Sequence, residues 1–132
     1  MATLPDHGMV HGKSSLAFAE TLERVEAGIA KRGIPLLAKI DHADGAAKVG
    51  LAMKPAVLLI FGNAKTGTPV MVAAPTAALD LPFKALVWED THGVVWISYN
   101  APEYLQERHG FPESLVANLA GIRAIVDEAI AP

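Results

Sequence analysis

A chain of 132 residues with 52% hydrophobic residues, a net charge of −3 and no cysteine is long enough for one domain with its own core. The acidic balance, with a pI near 5.9, argues against a nucleic-acid partner, and the lack of cysteine excludes disulfides and thiolate chemistry. The apolar runs are much shorter than the roughly 18–20 residues of a membrane span, and the first twenty residues lack the apolar segment of a signal peptide.

Composition and hydropathy also lead to predictions about location, domain organisation and oligomeric state. The sequence predicts a cytoplasmic protein with no membrane partner, folded as one domain over residues 1–132 with residues 1–8 flexible. Its mean hydropathy of +0.31 is high for so short a chain. Surplus apolar surface on a small protein is commonly covered by another subunit. We therefore expect a homodimer, although the sequence does not indicate which surface forms the interface.

The first half of the chain alternates strands and helices. The predicted elements are a strand over 9–13, a helix over 14–32, a strand over 34–40, a short helix over 41–50 and a strand over 55–61. The first helix is the best supported, because apolar residues recur at spacings of four, three and four, namely Phe18, Leu22, Val25 and Ile29. Ser14 and Ser15 offer N-cap oxygens for it, and Gly33 is a typical C-terminal stop.

The second half contains a hairpin between helical segments. We predict a short helix over 66–74, a connection over 76–82, strands over 83–89 and 93–99, and helices over 101–110 and 112–130. Trp88 and Trp96 lie on the two arms of the hairpin, where cross-strand packing accounts for them. The order βαβαβαββαα predicts an α+β domain in which helices pack on a mixed five-stranded sheet.

The stretch LLIFGNAKTGTP at 58–69 runs from an apolar strand into a glycine-rich turn. Gly62 and Gly67 have the separation of a nucleotide-binding P-loop, but Thr68 and Pro69 stand where that loop requires Lys and Ser or Thr. Two interpretations remain open. In the first, Thr66 or Thr68 is the N-cap of a helix and Pro69 is its first residue. In the second, Asn63, Lys65 and the helix amides hold a small anion.

Asp41 and His42 form a second candidate corner. Fourteen residues, 41–54, separate the two strands, which is enough for a crossover to a parallel strand. If the strands are parallel, Asp41 and His42 emerge beside Gly62 and Asn63, at the edge where ligands bind in open sheets. A histidine beside a carboxylate can act as a general base. The structural alternatives are Asp41 as an N-cap and His42 as a helix-start residue bonded to the backbone.

The remaining histidines and Tyr99 give weaker signals. His7 and His11 would stand about 13 Å apart in an extended segment, too far for one ion, so we assign them to a disordered terminus. His92 in the hairpin turn and His109 at a helix end are expected to be solvated. Tyr99 is expected to be structural, with a pocket or interface as the alternative. We predict no metal site and no cofactor.

Four segments also carry a family resemblance: DHA at 41–43, the stretch at 58–69, APTAALDLP at 74–82 and ISYNAPEYL at 97–105. In this order, and over about residues 13–110, they resemble the domain-of-unknown-function 302 family. The resemblance implies a compact α+β domain, like the small Thermus protein that gives the fold its name, pairing as dimers and without an established activity. The family-typical positions are Asp41, His42, Gly62, Asn63, Gly67, Thr68, Pro69, Leu81, Pro82, Tyr99 and Asn100. Ala64 departs from the proline that is common there in the family, which loosens the turn.

Three functional hypotheses follow from these residues. The first is a dimeric domain that binds a small molecule, an anion among the options, through Asp41, His42, Asn63, Lys65, Thr68 and Tyr99. The second is a small hydrolase or lyase in which His42 is the acid–base group, oriented by Asp41, with Asn63 as a polarising donor. In the third, these motifs only specify turns and the seam of a structural dimer.

Overall fold

The computed structural model describes residues 4–132. Its elements, in chain order, are β1 (Met9–Ser14), α1 (Phe18–Lys31), β2 (Leu36–Asp41), α2 (His42–Lys48), β3 (Ala56–Phe61), α3 (Ala64–Ala73), a first 3₁₀ helix (Pro75–Leu79), β4 (Phe83–Glu89), β5 (Val95–Asn100), α4 (Pro102–His109), a second 3₁₀ helix (Glu113–Leu119) and α5 (Gly121–Ile130). The predicted α+β class and the order of strands and α-helices are confirmed. We expect residues 1–8 to be flexible, and the first three of them lie outside the described residues.

The five strands form one sheet in the order β1-β5-β4-β3-β2, and every neighbouring pair is antiparallel. The predicted mixed sheet is therefore wrong in this respect, and the condition that β2 and β3 run parallel is not met. The seven residues of α2 span only about 10 Å. This helix turns the chain at the end of β2 instead of carrying it back along the sheet, so β3 returns antiparallel beside its neighbour.

The main core lies between one face of the sheet and two helices. Alternate strand residues face α1 and α5, as the period of two requires, and the fully buried members include Leu59, Val87 and Ile97. The helices contribute Val25 and Ile29 from the predicted apolar stripe of α1, with α5 beside it. Within residues 4–132, no helix combines the length and the apolar character needed to cross a membrane.

The start of α1 differs from the prediction. Ala17 is the N-cap, not Ser14 or Ser15. Ser14 belongs to β1, where its buried hydroxyl lies 2.7 Å from Thr21 Oγ1 and accepts a hydrogen bond from the Leu16 amide. The serine that the sequence assigned to the helix cap thus joins the strand to the helix.

A second, smaller core lies at one end of the sheet. Residues of α3, α4 and the two 3₁₀ helices form it: Val70, Ala74, Ala77, Leu105, Phe111 and Leu119. Phe83, at the start of β4, packs against both cores and its ring lies 5.6 Å from that of Phe61. The predicted closing helix over 112–130 is divided, because a 3₁₀ helix precedes α5. This end of the sheet carries the candidate site.

The opposite face of the sheet carries a cluster of apolar side chains. Strand alternation and register place on it the side chains of Ile40, Leu58, Ile60, Leu86, Trp88 and Trp96. None of these six described side chains belongs to either core. The two tryptophans stack with ring centroids 6.4 Å apart, which confirms the predicted cross-strand packing. We call this surface the open face.

Candidate ligand-binding site

The two predicted corners lie at opposite ends of the sheet. Asp41 pairs with Val57, whereas Leu36, at the other end of β2, pairs with Phe61 just before Gly62. Val57 and Phe61 are four residue steps apart along β3, a distance of about 13 Å. The predicted convergence of Asp41 and His42 with Asn63 and Lys65 is therefore wrong, because it required β2 and β3 to be parallel.

Asp41 is the N-cap of α2. Its Oδ1 accepts a hydrogen bond from the Asp44 amide at 2.9 Å, which is the alternative role considered for this residue. His42 is the first residue of the helix and is exposed. Because the Asp41 carboxylate is engaged by the backbone, the expected acid–base pair, with Asp41 orienting His42, is not formed.

Asn63 caps α3 in the same way. Its Oδ1 accepts a hydrogen bond from the Lys65 amide at 2.9 Å, and its carbonyl oxygen accepts from the amides of Thr66 and Gly67 at 3.1 Å. The helix therefore begins earlier than predicted, so Thr66 and Thr68 are not N-caps and Pro69 lies inside the helix. Amide groups that an anion would use are already satisfied by Asn63, which weakens the argument for an anion site.

A cavity of about 390 Å³ lies beside this turn. It is enclosed by the start of β2, the turn into α3, the first two turns of α3, the start of β4 and the second 3₁₀ helix. Its apolar wall includes Leu37, Met71, Leu81, Phe83 and Leu119. Cavities of this size are typical of sites for small ligands.

The polar groups at the cavity are all uncharged. Asn63, Thr66 and Thr68 lie on its lining, and no side chain among its described lining residues is ionisable. Lys65 is exposed and does not line the cavity. The chemistry of this wall therefore suits an apolar molecule with a neutral hydrogen-bonding group better than it suits an anion.

Two glycines give the cavity its shape. A Cβ at Gly62 would lie 3.1 Å from Pro82 Cβ, so a side chain there would require a small shift of Pro82 at the start of β4. The peptide bond before Pro82 is cis. A Cβ at Gly67 would meet only Met71 Cε, at the ordinary contact distance of 3.8 Å. At Gly67 the protein itself leaves room for a side chain.

Comparison with known proteins assigns the family. The family described as "Domain of unknown function DUF302" matches residues 10–129. The chain belongs to the DUF302 family. This confirms the resemblance carried by the four sequence segments.

Two similar proteins come from Brucella species. The DUF302 chain is 43% identical over 109 residues to "Fluoride-specific ion channel FluC 1" of Brucella suis biovar 1, a match that covers 83% of the chain and 43% of that protein. The protein of the same name from Brucella abortus biovar 1 is also 43% identical, with 40% of its length covered. The chain thus spans less than half the length of these relatives.

A solved structure shares the fold. The crystal structure of an uncharacterised conserved DUF302 protein from Bacillus stearothermophilus superposes with a TM-score of 0.81. The match covers 92% of this chain and 98% of that one, at 21% identity. The architecture is therefore the same in both proteins.

Tyr99 lies in the main core of this DUF302 domain and not at the cavity. Its side chain is 4% exposed and packs beneath α5. Burial raises the pKa of its hydroxyl above the ordinary value, and the neighbouring Arg123 guanidinium opposes that shift. Among the predicted site residues, Asn63 and Thr68 line the cavity, whereas Asp41, His42, Lys65 and Tyr99 do not.

Two histidine interpretations are corrected by the structure. His11 is part of β1 rather than of a disordered terminus, and its Nδ1 lies 2.7 Å from Ser98 Oγ. His109 is not solvated, because its side chain is only 4% exposed. Its Nε2 lies 2.6 Å from Asp80 Oδ2 and its Nδ1 lies 2.8 Å from Thr76 Oγ1.

No sequence motif predicts this histidine cluster. Asp80 precedes His109 by 29 residues, with no motif connecting them. The packing of the first 3₁₀ helix against α4 brings the two side chains together. The apolar wall of the cavity is not predictable for the same reason, since Leu37, Leu81 and Leu119 lie on three segments that are distant in sequence.

Proposed function

We propose that this DUF302 chain is a dimeric domain that binds a small, neutral and largely apolar molecule in the cavity between β2, α3 and the start of β4. The uncharged lining of that 390 Å³ cavity carries the proposal. An apolar wall supplies affinity through buried area, and a few polar groups orient the ligand.

The polar side of the cavity offers neutral hydrogen-bonding groups. Asn63 Oδ1 is occupied by the Lys65 amide, which leaves the Nδ2 amino group to donate to a ligand. The Thr66 hydroxyl donates to the Asn63 carbonyl at 3.0 Å, so its oxygen can accept from a ligand. Thr68 adds an exposed hydroxyl. An amide or alcohol group on an aromatic or aliphatic body matches this set.

The open face supports the dimer. Leu58, Ile60, Leu86 and the two tryptophans are only half-buried in the single chain, and Ile40 is 41% exposed. Contact with a partner would therefore remove apolar area from water. A second copy of the chain, placed by a twofold axis over the open face, would cover its tryptophans and aliphatic side chains.

Paired aromatic probes test the binding proposal. Benzamide and benzoate have the same ring and differ in charge, so titration of the ¹⁵N-labelled protein separates a neutral site from an anion site. We expect benzamide to shift the amide signals of residues 62–68, and benzoate to shift them much less. If only benzoate shifts them, the site is for anions; if neither does, the cavity is not a site for such ligands.

Two variants complete that experiment. Met71→Trp fills the cavity from α3 and should abolish the benzamide shifts. Lys65→Ala, which removes an exposed side chain outside the lining, is the matched control and should leave them unchanged. Loss of binding in Lys65→Ala would instead support the anion site predicted from the sequence.

The other hypotheses receive less support from the geometry. A hydrolase or lyase that depends on His42 lacks the orienting carboxylate, because Asp41 caps α2. A purely structural dimer does not account for the cavity. The predicted cytoplasmic location stays a prediction. The Brucella relatives are named as fluoride-specific ion channels, but the match covers only 40–43% of those proteins. Ion conduction is therefore not part of this proposal.

A further inference from the structure

A threonine, a histidine and an aspartate form a continuous hydrogen-bonded chain away from the cavity. Thr76 Oγ1 lies 2.8 Å from His109 Nδ1, and His109 Nε2 lies 2.6 Å from Asp80 Oδ2. Arg108 holds the same carboxylate through contacts of 2.9 and 3.2 Å. The first 3₁₀ helix supplies Thr76, Asp80 follows it directly, and α4 supplies the two basic residues.

The partners fix where the protons lie. An ionised carboxylate can only accept hydrogen bonds, so a neutral His109 must carry its proton on Nε2 and donate it to Asp80. Nδ1 is then unprotonated, and the Thr76 hydroxyl must donate to it. A nucleophile, a base and an orienting carboxylate are linked in the same order in hydrolytic triads, where the carboxylate binds Nδ1 and the nucleophile Nε2. Here the two nitrogens are exchanged, since Asp80 binds Nε2 and Thr76 binds Nδ1.

Exposure distinguishes this cluster from the other histidine–hydroxyl pair. Ser98 Oγ lies 2.7 Å from His11 Nδ1 and accepts from Trp88 Nε1, but Ser98 is only 8% exposed. Ser98 is therefore much less accessible to a reagent in solution than an exposed residue. Thr76 is exposed, whereas its base His109 is buried. The nucleophile is therefore accessible while its base is held in a fixed position.

We propose that Thr76 is a nucleophilic hydroxyl that accepts an acyl group from activated esters, with His109 as general base and Asp80 as the positioning residue. Thr76 Oγ would form a bond to the ester carbonyl carbon as its proton moves to His109 Nδ1. The bond to the leaving alcohol then breaks, and that alcohol oxygen takes the proton from His109. Water can release the acyl group by the reverse proton path. This site is independent of the cavity ligand.

The test uses p-nitrophenyl acetate on the whole chain, with peptide mapping to locate the acetyl group. We expect Thr76 to be acetylated at least tenfold faster than Thr91, since general-base assistance is worth about 10²–10⁴-fold. Thr91 is a matched internal control, because it is exposed but its hydroxyl lies 3.4 Å from His92 Nδ1. Ser98 should remain unmodified. Acetylation of Thr76 no faster than that of Thr91 would overturn the proposal.

Variants separate reactivity from folding. Asp80→Asn keeps the shape but can donate to Nε2, which reverses the tautomer and should lower the Thr76 rate at least tenfold. Thr76→Ser should retain labelling at position 76. The pH profile of the Thr76 rate should differ between the wild-type chain and Asp80→Asn, which a purely structural role of Asp80 would not produce. A rate that is unchanged in a folded Asp80→Asn variant would show that the cluster only joins the 3₁₀ helix to α4.

Discussion

Asp41 and Gly62 lie at opposite ends of the antiparallel β2–β3 pair, since Asp41 pairs with Val57 and Gly62 follows Phe61, the partner of Leu36. Each end carries a helix with its own polar N-cap, Asp41 for α2 and Asn63 for α3. The two ends share no described hydrogen bond. They should therefore behave as independent parts of the fold, which leads to the first prediction.

Asp41→Ala and Asn63→Ala should each lower the free energy of unfolding by about 1 kcal/mol through the loss of a helix cap. In the double variant the two losses should add to within about 0.5 kcal/mol, because the sites are far apart. Urea denaturation of the four proteins measures this. His42→Ala is the control, with an expected change below about 0.5 kcal/mol. A large coupling between the caps would contradict their separation.

Gly67→Ala should stabilise the protein and weaken ligand binding. Alanine in place of a helical glycine is favourable by up to about 1 kcal/mol, and the added methyl group meets only Met71 Cε at 3.8 Å. Because Gly67 lines the cavity, the methyl group of the new alanine would also lie on the cavity wall. The benzamide-induced shifts of the amide signals should therefore decrease.

Gly45→Ala is the matched control for that substitution. Gly45 lies in α2, with no atom of the described residues within 4 Å of an added Cβ. It should show a similar gain in thermal stability and unchanged benzamide binding. If Gly67→Ala also leaves binding unchanged, the ligand does not contact the first turns of α3.

Leu86→Glu should dissociate the proposed dimer. Leu86 lies at the centre of the open face, between Leu58 and Ser98, so a carboxylate there would be buried against the second copy without a partner. Sedimentation equilibrium should give a monomer mass, with circular dichroism to verify folding. Val72→Glu is the control, because Val72 is 76% exposed and lies on α3. Dissociation by Val72→Glu alone would place the interface on α3 instead.

The Asp90 carboxyl group in the hairpin turn should have a low pKa. Asp90 Oδ2 accepts from Trp96 Nε1 at 2.9 Å, and Oδ1 accepts from the amides of His92 and Val94. The bond from Trp96 is the main cause, with the backbone bonds adding to it, and together they hold the pKa of Asp90 below its ordinary value. Because the folded-state pKa is depressed, the stabilisation is present above the ordinary pKa and is lost as the pH falls through the folded-state pKa.

Carbon-detected NMR titration of Asp90 checks this interaction. Trp96→Phe removes the indole donor and should raise the pKa of Asp90 towards its ordinary value. Trp88→Phe is the control, because it perturbs the tryptophan stack but leaves the Trp96 indole in place. An Asp90 pKa that is equally low in Trp96→Phe would show that the backbone amides alone cause the shift.

Local sequence determined the elements of this protein and their order. The apolar stripe of α1, the hairpin with its two tryptophans and the DUF302 segments depend on spacing and turn chemistry within short windows, so they could be predicted. Asp41 was recognised as a possible cap for the same reason, because a cap depends on a carboxylate and an amide three residues apart.

Tertiary structure decided the direction of β3 and, with it, the site. A fourteen-residue connection is compatible with either strand direction, and only the packing of the sheet selects one. The cavity wall and the Thr76–His109–Asp80 cluster join residues that are distant in sequence, and their distances depend on how α3, α4 and the 3₁₀ helices pack at the end of the sheet. Periodicity reports which face of an element is buried; it does not report which other element covers that face.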